Sequence, residues 1–172
     1  VAGIGALDAA ARAAGVTAIS GASSVPALSS AVADALAAGL DRVSAIDMAL
    51  SASNRASGGV SVTKAILSYV GRPLLLWRGQ AWRKGFGWQE MGKVRFALPG
   101  KAFRKRVALC DVPDLDLLPA RYPGRPAVRF RAGTEIEAQN LGLWLLSWPV
   151  RWGWLRSLSG LTGLGVLAQQ WL

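Results

Sequence analysis

Histidine is absent from this 172-residue chain, and cysteine occurs once, at Cys110. Without an imidazole the chain holds no Ser-His-Asp or Cys-His catalytic set, no histidine general base and no histidine-ligated metal. A single thiol closes no internal disulfide and builds no multi-cysteine metal site, which suits a reducing compartment. No GxxxxGK[ST] loop is present, so a self-contained P-loop nucleotide-hydrolysing domain is excluded. Nor is there an unbroken apolar run of the roughly 18 residues that a membrane span needs. In the most apolar part, 141–172, Pro149, Arg151, Gly153 and Arg156 interrupt the pattern.

Acidic residues are scarce as well: 10 Asp and Glu face 20 Lys and Arg, for a net charge of +10. The imbalance is local. Residues 1–71 carry four basic and four acidic side chains, 107–172 six and five, but 72–106 ten basic and only Glu90. Charges confined in this way read as the solvated faces of strands, with long side chains reaching into water. Nucleic-acid binding is disfavoured, since no aromatic RNA-recognition motif, helix-turn-helix pattern or zinc spacing accompanies the charge.

With 52% hydrophobic residues the chain can bury a core, and its length allows one domain, or one domain and a fragment of another. The start, Val1-Ala-Gly-Ile-Gly, has neither an initiator Met nor a basic leader and reads as the continuation of a longer polypeptide. Gly3 and Gly5 imitate half of a dinucleotide fingerprint, but no strand precedes them and Asp8 stands where the third Gly belongs. Residues 6–14 read as a helix ended by Gly15, and Val16–Ser20 as a short apolar strand. This αβ unit lacks partners, because a parallel strand needs neighbours and helices on both faces. Residues 27–40 follow as a helix with Leu28, Val32, Ala35 and Leu36 on one face and Pro26 in the first turn.

A strand is expected over 42–51, a loop over 53–59 and a helix over 60–70 stopped by Gly71 and Pro73. From Leu74 onward short runs alternate apolar and basic residues between glycines, the signature of successive antiparallel strands. Residues 111–126, with Pro113, Pro119, Pro123 and Pro126, read as a loop or short helix before a last strand over 127–133. The Trp-rich runs 141–150 and 154–172 read as two packed or interfacial helices, with the C-terminus cut short. The fold class expected is α+β: a mixed, mostly antiparallel sheet with helices on one face, preceded by the last αβ unit of a Rossmann fold.

Chemistry-bearing candidates are few. The turn Gly21, Ala22, Ser23, Ser24 links a strand to a helix, where free backbone N–H groups can meet an anion, or it is an ordinary capped turn. Asn54 and Arg55 also follow a strand and can hold a carboxylate or phosphate, or form a solvated turn. Asp47 alternates into an apolar strand and is either partly buried or paired with arginine. Asp111, Asp114 and Asp116 lack the spacing of a calcium loop. Cys110 reads as a small buried hydrophobe.

The order AAGVTAISGASSVPALSSAVADAL (13–36), SASNRASGGVSVTKAILSYVGRP (51–73), WRKGFGWQEMGKVRFALPG (82–100) and CDVPDLDLLPARYPG (110–124) resembles the saccharopine dehydrogenase-like family of oxidoreductases. The resemblance covers most of the chain and implies a division into residues 1–24, a remnant of a dinucleotide-binding Rossmann domain, and 25–172, an α+β substrate and dimerisation domain. It implies NAD- or NADP-linked hydride transfer in a longer parent, with Gly21, Ala22, Ser23 and Ser24 facing the cofactor and Asn54 and Arg55 in the substrate cleft. The GxGxxG strand-turn-helix is missing, so no cofactor is expected on this chain alone, and no catalytic residue is assigned. The partners implied are an upstream Rossmann domain, a small-molecule substrate and a second copy of the chain, in the cytoplasm. The rival reading is a non-enzymatic membrane-surface or scaffold protein using the Trp-rich C-terminal region and the basic sheet.

Overall fold

Alternating apolar residues set the sheet. In a computed structural model, which describes residues 2–52, 59–161 and 163, Ile46, Met48 and Leu50 of β1 (Ala45–Ser51) lie beside Val128, Phe130 and Ala132 of β6 (Ala127–Gly133). The two strands are parallel, and β5 (Lys101–Leu109) then β4 (Gly92–Leu98) continue the sheet antiparallel, in the order β1-β6-β5-β4. Only the end of β5 pairs with β6, at Ala108 and Leu109, so the rest of the β4–β5 hairpin runs on past it. A separate hairpin, β2 (Pro73–Arg78) and β3 (Ala81–Phe86), completes the β structure of an α+β fold with a mixed sheet.

The apolar face of β1 and β6 is covered by Leu115 and Leu118 of helix α4 (Asp114–Arg121) and by Leu74 and Leu76 of β2, so a hairpin shares with helices the covering expected of helices alone. Period two puts Asp47, Arg129 and Arg131 on the opposite, polar face. A second cluster forms around Trp88, buried with Val70 and Leu67 of the α3 segment (helix Gly59–Tyr69), Val150 of α5 (Glu137–Arg151) and Leu158. The Trp88 indole donates to the Asn140 carbonyl at 3.1 Å, and Gln89 donates to the Ser147 hydroxyl at 3.3 Å. Gly87 permits this junction: a Cβ there would run into the carbonyl oxygen of Tyr69.

Three sequence expectations change. Val16–Ser20 forms no strand and its side chains are exposed, Ile19 by 77%; with no neighbouring strand its backbone has no ladder to join. After helix α1 (Asp8–Ala13), the second helix is shorter than 27–40: α2 spans Ser29–Ala37, and Ser24–Leu28 forms an irregular turn ahead of it. Its stripe Leu28, Val32, Leu36 faces solvent, while Ala33 and Ser29 turn to the core and α4. Residues 154–157 are irregular and Ser159–Leu161 is one 3-10 turn; the rest of the helix expected over 154–172 falls, but for residue 163, outside the described residues. No described helix is long and apolar enough to cross a membrane.

Candidate functional site

The carboxyl ends of the parallel pair β1 and β6 open on a cavity of about 340 Å³ lined by Ser51, Ala52, Lys101, Phe103, Lys105 and Glu135. Ends of parallel strands collect ligands because loops diverge there and leave backbone groups available. The Ala52 N–H donates to the Gly133 carbonyl at 3.0 Å, fixing the two strand ends side by side. Alternation along β5 brings Lys101, Phe103 and Lys105 to one face, the face directed at these ends. Phe103 stacks on Phe96 across the hairpin with centroids 5.5 Å apart, which holds its ring as a wall. The Lys101 ammonium lies 6.0 Å from that ring centre, and Lys105 donates to the Glu135 carbonyl at 2.6 Å. Two ammonium groups beside an aromatic wall suit a small molecule with a carboxylate or phosphate and an apolar body.

In the sequence these lysines read as solvated strand charges. The signal that finds them is the Lys-x-Phe-x-Lys spacing, which at period two places all three side chains on one face. Asn54 and Arg55 lie outside the described residues, two and three positions beyond Ala52 in the chain.

The turn Gly21–Ser24 is open. Gly21 adopts φ +80°, a Cβ there would press on the Pro26 ring, and the Ser23 N–H donates to the Gly21 carbonyl at 2.8 Å. Ala22, Ser23 and Ser24 are exposed, and none lines the cavity at the ends of β1 and β6. The four residues can border a dinucleotide held by another unit, but they do not enclose one.

The remaining candidates are structural. Burial works against the Asp47 charge, yet the Arg129 hydrogen bond and the Arg131 charge hold its carboxyl below the ordinary range, so it is a paired carboxylate and no base. Cys110 is buried, 3.1 Å from the Tyr69 hydroxyl, and burial pushes its thiol up to about 11. It is therefore inert as a nucleophile at neutral pH. Asp114 is buried and accepts from the Ser29 hydroxyl at 2.7 Å; its other oxygen meets no partner among the described residues, and burial raises its pKa. Asp34 ties α2 to α4, accepting from Arg121 and from the Tyr122 hydroxyl, and these bonds, Arg121 first, lower its carboxyl to about 2. No group of three metal-ligating side chains occurs among the described residues.

Compared with known proteins, the chain matches no protein-family model, no curated protein and no solved structure.

Proposed function

We propose that the chain supplies the substrate-side domain of an NAD(P)-dependent oxidoreductase of the saccharopine dehydrogenase-like kind. The observation that carries this reading is the unpaired state of the elements on both sides of the Gly21–Ser24 turn. Before it, Val16 and Ile19 stand in water without a neighbouring strand among the described residues; after it, Leu28, Val32 and Leu36 form an exposed stripe at helical spacing, and Leu40 beyond the helix is exposed as well. A sheet-and-helix unit docked there would cover both faces at once, which is the surrounding that the final αβ unit of a dinucleotide-binding domain requires.

In that arrangement the bound nicotinamide supplies the hydride chemistry. The chain's own part is to border it with Gly21, Ala22, Ser23 and Ser24 and to hold the substrate. Lys101 and Lys105 would neutralise the substrate's anionic group and Phe103 would pack on its apolar part, orienting the reacting carbon. The described residues offer no well-placed general base, in keeping with a role in binding and orientation.

The test is the intact mass and N-terminal sequence of the natural gene product, followed by NADPH titration. A longer product with a GxGxxG strand-turn-helix upstream is expected to bind NADPH saturably, while the 172-residue chain alone binds none. In the longer product Lys105→Ala is expected to weaken binding of an anionic substrate about tenfold, by removing one charge-assisted contact, with NADPH affinity unchanged. A natural product of this length that binds no NADPH overturns the reading.

A further inference from the structure

Helix α5 is apolar on its outer face as well as on its inner one, where Val150 is buried and Leu143 and Trp144 pack on the core. Its buried positions include the polar Asn140 and Ser147, both satisfied by hydrogen bonds, whereas Leu141, Leu145 and Trp152 face water, Leu145 by 56% and Trp152 by 57%. At about 100° per residue, positions 141, 145, 148 and 152 fall within roughly 60° of one another, so they form one stripe along the helix. The stripe continues into the turn that follows, where Trp154 is 74% exposed and Leu155 is exposed beside it. The rings of Trp144, Trp148, Trp152 and Trp154 follow one another at centroid distances of 6.0, 5.6 and 5.2 Å.

Charge distinguishes the occupant. After Glu137 the chain contains no acidic residue, and its two cations are Arg151 and Arg156. Arg151 is held over the Phe86 and Trp148 rings at 4.4 and 5.1 Å and donates to Gln89 at 2.6 Å; Arg156 is exposed and pairs with no acid among the described residues. Two copies joined through this stripe would bring like charges together with no carboxylate in the stripe to offset them. An anionic headgroup layer supplies that counter-charge, and indole rings prefer the boundary between headgroups and acyl chains.

We infer that the outer stripe of α5 and the turn after it, with Trp152, Trp154, Leu145 and Leu155 inserted and Arg156 on the headgroups, docks on the interface of an anionic lipid bilayer without crossing it. The inference stands apart from the oxidoreductase reading, since neither cofactor nor substrate enters it.

Co-sedimentation of the chain with phosphatidylcholine vesicles, with and without phosphatidylglycerol, tests it, with light scattering and circular dichroism on the same samples. The chain is expected to partition onto the anionic vesicles and to be released by salt. The Trp152→Ala, Trp154→Ala double variant is expected to lose at least about tenfold in partitioning with unchanged circular dichroism, because the apolar area it inserts is removed. Leu145→Ser should lose less in the same direction. Arg156→Gln should lose about fivefold on anionic vesicles, the equivalent of about 1 kcal/mol for one basic residue at such a surface, and nothing on phosphatidylcholine alone. Absence of anionic vesicle binding overturns the inference. So does binding that the Trp and Leu145 variants leave unchanged, which would assign it to the basic strands instead, and so does a dimer that the Trp variant dissociates while vesicles bind nothing.

Discussion

Residues 2–40 and the sheet that follows them place their apolar side chains in opposite surroundings. In β2, β5, β6 and α4, Leu76, Leu109, Val128 and Leu118 are all at or below 2% exposure; in the N-terminal part Leu7, Val16, Ile19, Leu28, Val32, Leu36 and Leu40 stand in water. Both regions have the composition of a core, so the difference lies in what each finds to pack against. The sheet closes on itself through α4 and the β2–β3 hairpin, whereas the N-terminal elements hold to it mainly by polar ties, Ser29 to Asp114 and Arg121 and Tyr122 to Asp34. A region whose apolar side chains are packed and a region whose apolar side chains face water respond differently to the same substitution.

The largest contrast is expected between two leucines. Leu118→Ala empties a fully buried position and should lower stability by about 2–5 kcal/mol in urea unfolding. Leu36→Ala, at 74% exposure on α2, should change it by no more than about 0.5 kcal/mol. On the proposed oxidoreductase reading, the same Leu36→Ala should weaken docking of a dinucleotide-binding unit in a separate binding measurement. Equal losses of stability at both sites would end the comparison.

Next come the positions where backbones meet. Gly87→Ala pushes a methyl group into the Tyr69 carbonyl and should cost about 1–3 kcal/mol or more by overpacking. Asn140→Ala should cost about 1–3 kcal/mol, because the Thr134 N–H, 2.8 Å from the Asn140 side-chain oxygen, loses its acceptor in a part-buried setting. By contrast Gly3→Ala, where a Cβ meets nothing within 4 Å, should be neutral in the same assay.

The alternation of β1, β4, β5 and β6 was legible because period two is decided by local residues once one face is buried, and α5 up to Arg151 because its apolar run is long. The order of strands was not, since the pairing of β1 with β6 joins segments about 80 residues apart and no local pattern encodes it. Leu28, Val32, Ala35 and Leu36 are legible as an apolar stripe, although Leu28 falls in the turn before α2, and a stripe does not state whether anything covers it. Lys101, Lys105 and Phe103 were hidden because a charged strand face looks alike whether it meets bulk water or a cavity. Only the third dimension, which brings them over Ser51 and Ala52, separates the two cases.

The smallest effect concerns the polar ties themselves. The carboxyl of Asp34 sits at about 2, lowered by the Arg121 hydrogen bond and then by Tyr122, so its stabilising effect is fully present above the unfolded value of about 3.9 and is lost as pH falls through about 2. Asp114 runs the other way: burial raises it, so its charged form opposes folding above its folded pKa, and acid relieves that opposition. On acidification the α2–α4 contact should therefore be eased at Asp114 before it is weakened at Asp34. Amide hydrogen exchange in α2, followed from neutral pH to about pH 2, should show protection falling only below about pH 4, where Asp34 begins to lose its advantage. Asp34→Asn should remove that fall, and added salt should shrink it because the pair is exposed. A fall that survives in Asp34→Asn would mean that α2 is held to the sheet by its few apolar contacts, such as Ala33, and not by charge.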